Sequence, residues 1–316
     1  MTTESAGFVD LQVNGYAGLD FNSESYSQEQ LVAVCKRMSA DGVSKILATI
    51  ITAPLTNMCA RIERVGKMVE SDPVIAGMIA GIHVEGPFIS LQPGYVGAHP
   101  VQSVIPADAS AAKRLIDAGQ GQVRLVTLAP EADVDCRVTS WLTNQGIAVA
   151  GGHSDASLSC LRRGIDAGLS LFTHLGNGCP PALPRHDNIV QRVLSLADQI
   201  SISFIADGHH IPAFALKNYL ALVPTEHVII VSDAISAAGL GAGRFRLGDQ
   251  TVEVDDAGAA WSADRTHFAG SAATLPTMVG VLKSIGISDE LITKWTSENP
   301  ARFLSCGPGA LRRTNG

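Results

Sequence analysis

The sequence predicts a (β/α)8 barrel, and three observations carry that expectation. Eight short apolar, β-branched runs recur along the chain, amphipathic helical stretches separate them, and 316 residues is an ordinary length for one such barrel. Runs that are apolar on both faces belong in a parallel sheet covered by helices, because a sheet with one wet face would alternate. Eight strand-helix units in unbroken order then close into a barrel.

The strand candidates are FVDLQV (8–13), SKILATII (44–51), IAGIHV (79–84), VRLVTLA (123–129), IAVAGG (147–152), LSLFTH (169–174), ISISFIA (200–206) and HVIIVSDA (227–234). Of the helices between them, 27–42 is the clearest. Leu31, Val34, Cys35 and Met38 fall at i, i+3, i+4 and i+7, Ser27 can cap the start and Gly42 the end. Similar patterns occupy 56–70, 108–118, 133–145, 155–167, 187–197, 212–222 and 271–285. Residues 243–268, GRFRLGDQTVEVDDAGAAWSADRTHF, alternate apolar with polar and predict a β-hairpin inserted after the eighth strand, with Asp256–Ala257–Gly258 at its turn. Residues 288–304 predict a last helix. No repeat or linker divides the chain, so one domain over 1–316 is expected.

A net charge of −7 without a cluster of Lys or Arg argues against nucleic acid as a partner, since phosphate-backbone binding needs a basic face. One or two local cations would still serve a small anionic ligand. No apolar run approaches the ~20 residues of a membrane span, and the opening MTTESAGFVD lacks the basic start and apolar core of a signal peptide. No membrane partner and a cytoplasmic location are therefore expected. Six cysteines, at 35, 59, 136, 160, 179 and 306, include no C-x-x-C pair and read as reduced packing residues.

A barrel places its chemistry at the C-terminal ends of its strands. There the first strand brings Gln12 and Asn14, the third Glu85, and the fifth His153 followed by Ser154 and Asp155. The sixth ends in His174, the seventh in Asp207 before His209 and His210, and the eighth in Asp233. Within GIHVEGPFIS (81–90), a core strand thus delivers a carboxylate to its own end, which costs several kcal/mol unless something compensates it. Glu with two His is a sound ligand set for a catalytic Zn²⁺ or another divalent transition metal, because three protein ligands leave one position for water. An unliganded Asp233 would then be free to carry a proton. Singly, a strand-end His is more often a hydrogen-bonded structural residue, and an Asp before a helix an N-cap. Four such residues at the ends of four strands point to a site.

The motifs HVEGPF, GGHSDAS, FTHLGNG, ADGHHIP, VSDAISAAG and AGSAATL together resemble the amidohydrolase superfamily, specifically the N-acetylglucosamine-6-phosphate deacetylases, from residue 8 to about 305. The resemblance implies a metal-dependent barrel enzyme that hydrolyses the acetamide of an N-acetylated amino-sugar phosphate, N-acetylglucosamine-6-phosphate first, to glucosamine-6-phosphate and acetate. It implies Glu85, His153 and His174 as metal ligands, Asp233 as general acid/base and His99 of VGAH as the residue that polarises the scissile carbonyl. On the phosphate side it implies His210, Arg185 of ALPRHD, and the backbone around Asn177 and Gly178. Many amidohydrolases carry H-x-H after the first strand and bind two metals. Gln12–Val13–Asn14 stands there in this chain, so one ion is expected, zinc first, with Fe²⁺ or another divalent transition metal as alternatives. Gln12 and Asn14 then line the floor or bind water. His186, His209, His227 and His267 are left as structural or surface residues.

Departures from the family pattern leave the substrate more open than the reaction type. Gly176 stands where the family has Phe, and Gly178 and Cys179 replace Ala and Met. The short stretch before residue 8 and the tail CGPGALRRTNG predict a short form without the family's small β-sandwich domain. A homodimer is compatible with the resemblance. Two alternatives stay in view: an amidohydrolase for another N-acyl or cyclic amide, and a non-catalytic sugar-phosphate binding protein.

Overall fold

The computed structural model describes residues 7–306 of the chain. The barrel strands are β1 Phe8–Val13, β2 Val43–Ile51, β3 Ile79–Glu85, β4 Val123–Leu128, β5 Ala148–Gly151, β6 Leu169–Phe172, β7 Ser201–Ile205 and β8 Val228–Val231. They form one eight-stranded sheet in chain order, with every ladder parallel. Helices cover its outside, as a right-handed crossover requires. The expected barrel is the observed one.

β8 and β1 meet at a seam closed mainly beyond the strand ends. Asn14 N–H donates to the Ala234 carbonyl at 2.7 Å, and Ser232 N–H donates to both carboxyl oxygens of Asp10 at 3.2 Å. A side chain therefore accepts where a neighbouring strand's carbonyl otherwise would. At the other end of the barrel, Trp295 is buried and donates its indole N–H to the Thr225 carbonyl at 3.0 Å. Asn299 donates to the carbonyls of Thr225 (2.8 Å) and Val228 (2.7 Å), which anchors the start of β8.

Several boundaries differ from the sequence reading for physical reasons. Three strands stop two residues before the polar residue expected at their ends, because His153, His174 and Asp233 adopt φ of 50°, 31° and 50°. An L-residue at positive φ cannot continue a strand. The expected hairpin is instead a three-stranded antiparallel sheet, β9 Gly243–Leu247, β10 Gln250–Val254 and β11 Ala260–Ser262. The Asp256–Gly258 turn joins its second and third strands, and Gly248, at φ 56°, supplies an earlier turn that the alternation concealed. The closing helix is Asp289–Thr293 and Asn299–Cys306 with a wider turn at Lys294–Glu298 between them. A further helix, Pro73–Met78, begins where Asp72 accepts from Val74 N–H at 2.8 Å.

The three-stranded sheet carries its own small core of Leu247, Val252, Val254 and Ala260, packed on Ile51 and Ile235 at the barrel mouth. Gly248 N–H donates to Asp20 at 2.6 Å, and the Gln250 amide donates to the Ala98 carbonyl. Those two bonds tie it to the barrel and to the loop bearing His99. Among the described residues no helix is long and apolar enough to cross a membrane. Cys35, Cys59, Cys136, Cys160 and Cys179 are free thiols, while the Cys306 side chain, the tail 307–316 and the opening 1–6 lie outside the described residues.

Candidate active site

Glu85, the last residue of β3, is 2% exposed, and its Oε1 is the hub of the mouth. His174 Nε2 lies 2.9 Å from that oxygen, His153 Nε2 3.2 Å, and the Gln12 amide donates to it at 3.1 Å. Burial pushes the Glu85 carboxyl up, but the two imidazoles outweigh this and hold it well below the usual carboxylate range. The His153 imidazole is locked from behind. His153 Nδ1 donates to the Tyr95 carbonyl at 2.9 Å, so in a neutral ring its Nε2 presents a bare lone pair toward Glu85. Gly178 presses against that ring, and a Cβ there would stand 2.8 Å from Nδ1.

His99 joins the cluster from its loop, with Nε2 3.3 Å from His153 Nε2. Its Nδ1 is 2.8 Å from the Thr52 hydroxyl, which itself donates to the Glu85 carbonyl at 3.2 Å. Burial drives His99 down to about 3, which keeps the ring neutral. The ligand atoms of Glu85, His99 and His153 lie within 4.8 Å of one another. His174 Nδ1 is buried with no hydrogen-bond partner.

These features suit a cation. A carboxylate oxygen facing an unprotonated imidazole nitrogen is a contact between two acceptors, and a divalent ion shared by both removes the conflict. The donor set of one carboxylate and imidazole nitrogens matches zinc and its neighbours.

Asp233 stands across from Glu85 on the far side of one amide. Gln12 Nε2 donates to Asp233 Oδ1 at 3.2 Å as well as to Glu85, and Thr173 donates to Gln12 Oε1 at 2.7 Å. Asn14 Nδ2 donates to the same Asp233 oxygen at 2.7 Å, leaving its own Oδ1 buried without a partner. Burial and the nearby Glu85 charge push the Asp233 carboxyl up. His83, by contrast, is a structural residue inside the barrel, bonded to the Leu11 carbonyl (3.1 Å) and to the Thr127 hydroxyl (2.8 Å).

The mouth opens into a cavity of about 450 Å³, the size of a small-molecule site. His99, His153, His174, Glu85, Asp233 and Asn14 line it, and so do Asn177, Gly178 and His210. Gln12 lies beneath the floor as a strut. His210 Nδ1 pairs with Asp207 at 2.7 Å, and Asp207, although burial raises it, is held well below the carboxylate range by that pair. Arg185 is exposed and does not line the cavity, and no other Arg or Lys among the described residues does.

No family model matches the chain. It is 35% identical over 311 residues to the N-acetylglucosamine-6-phosphate deacetylase of Bos taurus, covering 94% of this chain and 73% of that protein. The chain belongs to the N-acetylglucosamine-6-phosphate deacetylase family. The deacetylase of Homo sapiens is 35% identical over 312 residues, with the same coverage of both chains. A solved structure of a variant deacetylase from Mycobacterium smegmatis in complex with N-acetyl-D-glucosamine-6-phosphate superposes with a TM-score of 0.86 at 29% identity, over 95% of this chain and 77% of that one. The amidohydrolase barrel expected from the motifs is thereby found both in sequence and in fold.

In this member of the deacetylase family the sequence reading left several cavity residues unnoticed. Thr52 and the Tyr95 carbonyl orient imidazoles, and His267, Trp261 of the three-stranded sheet and Phe268 just after it line the cavity. Two of the three aromatics of the alternating insertion, Trp261 and Phe268, were the one available signal for that wall.

Proposed function

We propose that this chain hydrolyses the acetamide of an N-acetylated amino-sugar phosphate, N-acetylglucosamine-6-phosphate first, releasing acetate and glucosamine-6-phosphate. The observation that carries the reading is the meeting of His153, His174 and Gln12 on one oxygen of Glu85, with Asp233 joined to the same amide, in a cavity of a deacetylase-family chain. Glu85, His153 and His174 would hold a single divalent ion, zinc before iron. Such an ion supplies Lewis acidity toward a carbonyl and lowers the pKa of water toward ~7.

The chain's own groups supply the rest. Gln12 and Asn14 aim Asp233 at the mouth, where its carboxylate takes the proton of the attacking water and returns it to the leaving amine. His99, when protonated at Nε2, would stabilise the oxygen on which negative charge develops. His210, oriented by Asp207, faces the cavity as a donor for the phosphate, with the backbone at Asn177 and Gly178 beside it.

Acetate release from phosphorylated and unphosphorylated N-acetylhexosamines by metal-loaded protein tests the reading, and the phosphorylated sugar is expected to be strongly preferred. The absence of Arg and Lys from the described cavity lining favours a second reading, an N-acyl substrate without phosphate. Equal rates with and without phosphate would select it. His174→Asn should lose bound metal, whereas His99→Ala should keep it and slow turnover by about 10²–10³. Metal quantification beside the rates separates these roles.

A further inference from the structure

We propose that Trp261 and Phe268 form the stacking wall for the substrate's pyranose ring and determine which sugar the site accepts. This deepens the amino-sugar reading above and rests on it.

Both rings line the cavity, and they belong to one row of aromatic faces. The Phe268 centroid lies 4.3 Å from that of Trp261 and 5.0 Å from that of His210, at interplanar angles of 45° and 49°. The row is built, not incidental. The Trp261 indole N–H donates to Asp255 at 2.8 Å, a β-bridge joins residues 261 and 268, and Ala269 N–H donates to the Ala260 carbonyl at 3.0 Å. These contacts fix the ring positions before any ligand arrives, so little order has to be acquired on binding.

The position of the row assigns its ligand. Three residues after Phe268, Ser271 N–H donates to the Asp233 carbonyl at 2.9 Å and its hydroxyl to Asp207 at 2.9 Å. Phe268 is thus within roughly 10 Å of chain from the residue that carries the proton. Its other neighbour is His210, on the anion side. A ligand that reaches both ends must lay its middle along this wall. A pyranose fits, because it offers an apolar face of C–H bonds to aromatic rings while its hydroxyl rim keeps polar partners. On the other side Gly176 lines the cavity without a side chain, and a Cβ there would already touch Ile211 at 3.4 Å and Tyr219 at 3.8 Å.

The test reads binding and turnover separately. Metal-loaded protein is titrated with glucosamine 6-phosphate while tryptophan fluorescence is followed in wild type and Trp261→Phe; the other tryptophans are Trp141 and Trp295. A fluorescence change in wild type that disappears in Trp261→Phe is expected. Trp261→Ala and Phe268→Ala should raise KM for N-acetylglucosamine-6-phosphate about tenfold or more and leave kcat within about threefold, while Trp261→Phe keeps KM within about threefold. A purely structural role would lower the melting temperature and kcat together and would not be rescued by Phe. KM within twofold of wild type in both folded alanine variants overturns the wall, and so does a wild-type fluorescence response that persists in Trp261→Phe. If the alanine variants do not fold, the titration of Trp261→Phe alone decides. A wild type that responds to the sugar phosphate but releases no acetate removes the deacetylase reading and leaves the wall standing. No acetate and no response overturn both.

Discussion

The barrel mouth and the three-stranded sheet above it hold their side chains in opposite ways. At the mouth, Glu85, Gln12, His99, His153 and His174 are all buried, and each is bonded to at least one group on another strand or loop. The sheet is half exposed, rests on a core of a few residues, and is tied down by a few bonds such as those of Gly248 and Gln250. Chemistry sits where the fold itself is made, and selectivity sits on an addition that can change without unsettling the strands. This is the usual division between a rigid scaffold and the loops that read the ligand.

Five expected outcomes would break or sharpen that comparison. Asp233→Asn keeps the shape and most hydrogen bonds of the mouth, so turnover should fall by about 10²–10⁴ while metal content and KM hold, as measured by steady-state kinetics and metal analysis. Trp295→Ala at the barrel's base should reduce unfolding free energy by about 3–5 kcal/mol. Leu247→Ala in the sheet should reduce it by about 2 kcal/mol. Denaturant melts of both give the contrast, which fails if Leu247→Ala unfolds the barrel as readily as Trp295→Ala.

Asp10, at the seam, gives a pH-dependent version of the same contrast. Desolvation by burial raises its carboxyl from an ordinary 3.8 to about 7, despite the N–H groups of Ser232 and Gln12. The folded state therefore binds this proton more tightly than the unfolded state. The stabilisation is full below about pH 4 and is lost as pH rises toward 7, by up to about 4 kcal/mol. Asp10→Asn should flatten that part of the stability profile, read by thermal melts across the range. The smallest effect is expected at the rim: Arg185→Ala should leave KM for the phosphorylated sugar within about twofold, because the side chain is exposed and outside the cavity.

Much of this was legible in the sequence, and the illegible part has identifiable causes. Strand order and the meeting of Glu85, His153 and His174 follow from eight apolar runs whose ends carry polar residues, since a closed barrel leaves them nowhere else to converge. The insertion was placed correctly but miscounted by one strand, because Gly248–Asp249 sits inside an alternating pattern that reads equally well as continuous. Arg185 looked like a phosphate ligand because residue type and motif say nothing about the direction in which a loop side chain leaves the backbone. Trp261 and Phe268 escaped for the converse reason: in an alternating sequence an aromatic is ordinarily core, and only three-dimensional packing shows that these two line a cavity.

His153, His174 and Asp233 share a left-handed backbone two positions past their strands. Histidine, aspartate and asparagine are the non-glycine types that tolerate this conformation best. Each of these residues is thus selected twice, once for the atoms it offers and once for the bend it permits, and the alphabet open to natural drift there is very short. Alanine scanning at these three sites would mix a chemical deletion with a conformational penalty. Asparagine is the cleaner probe, because it removes the chemistry and leaves the bend.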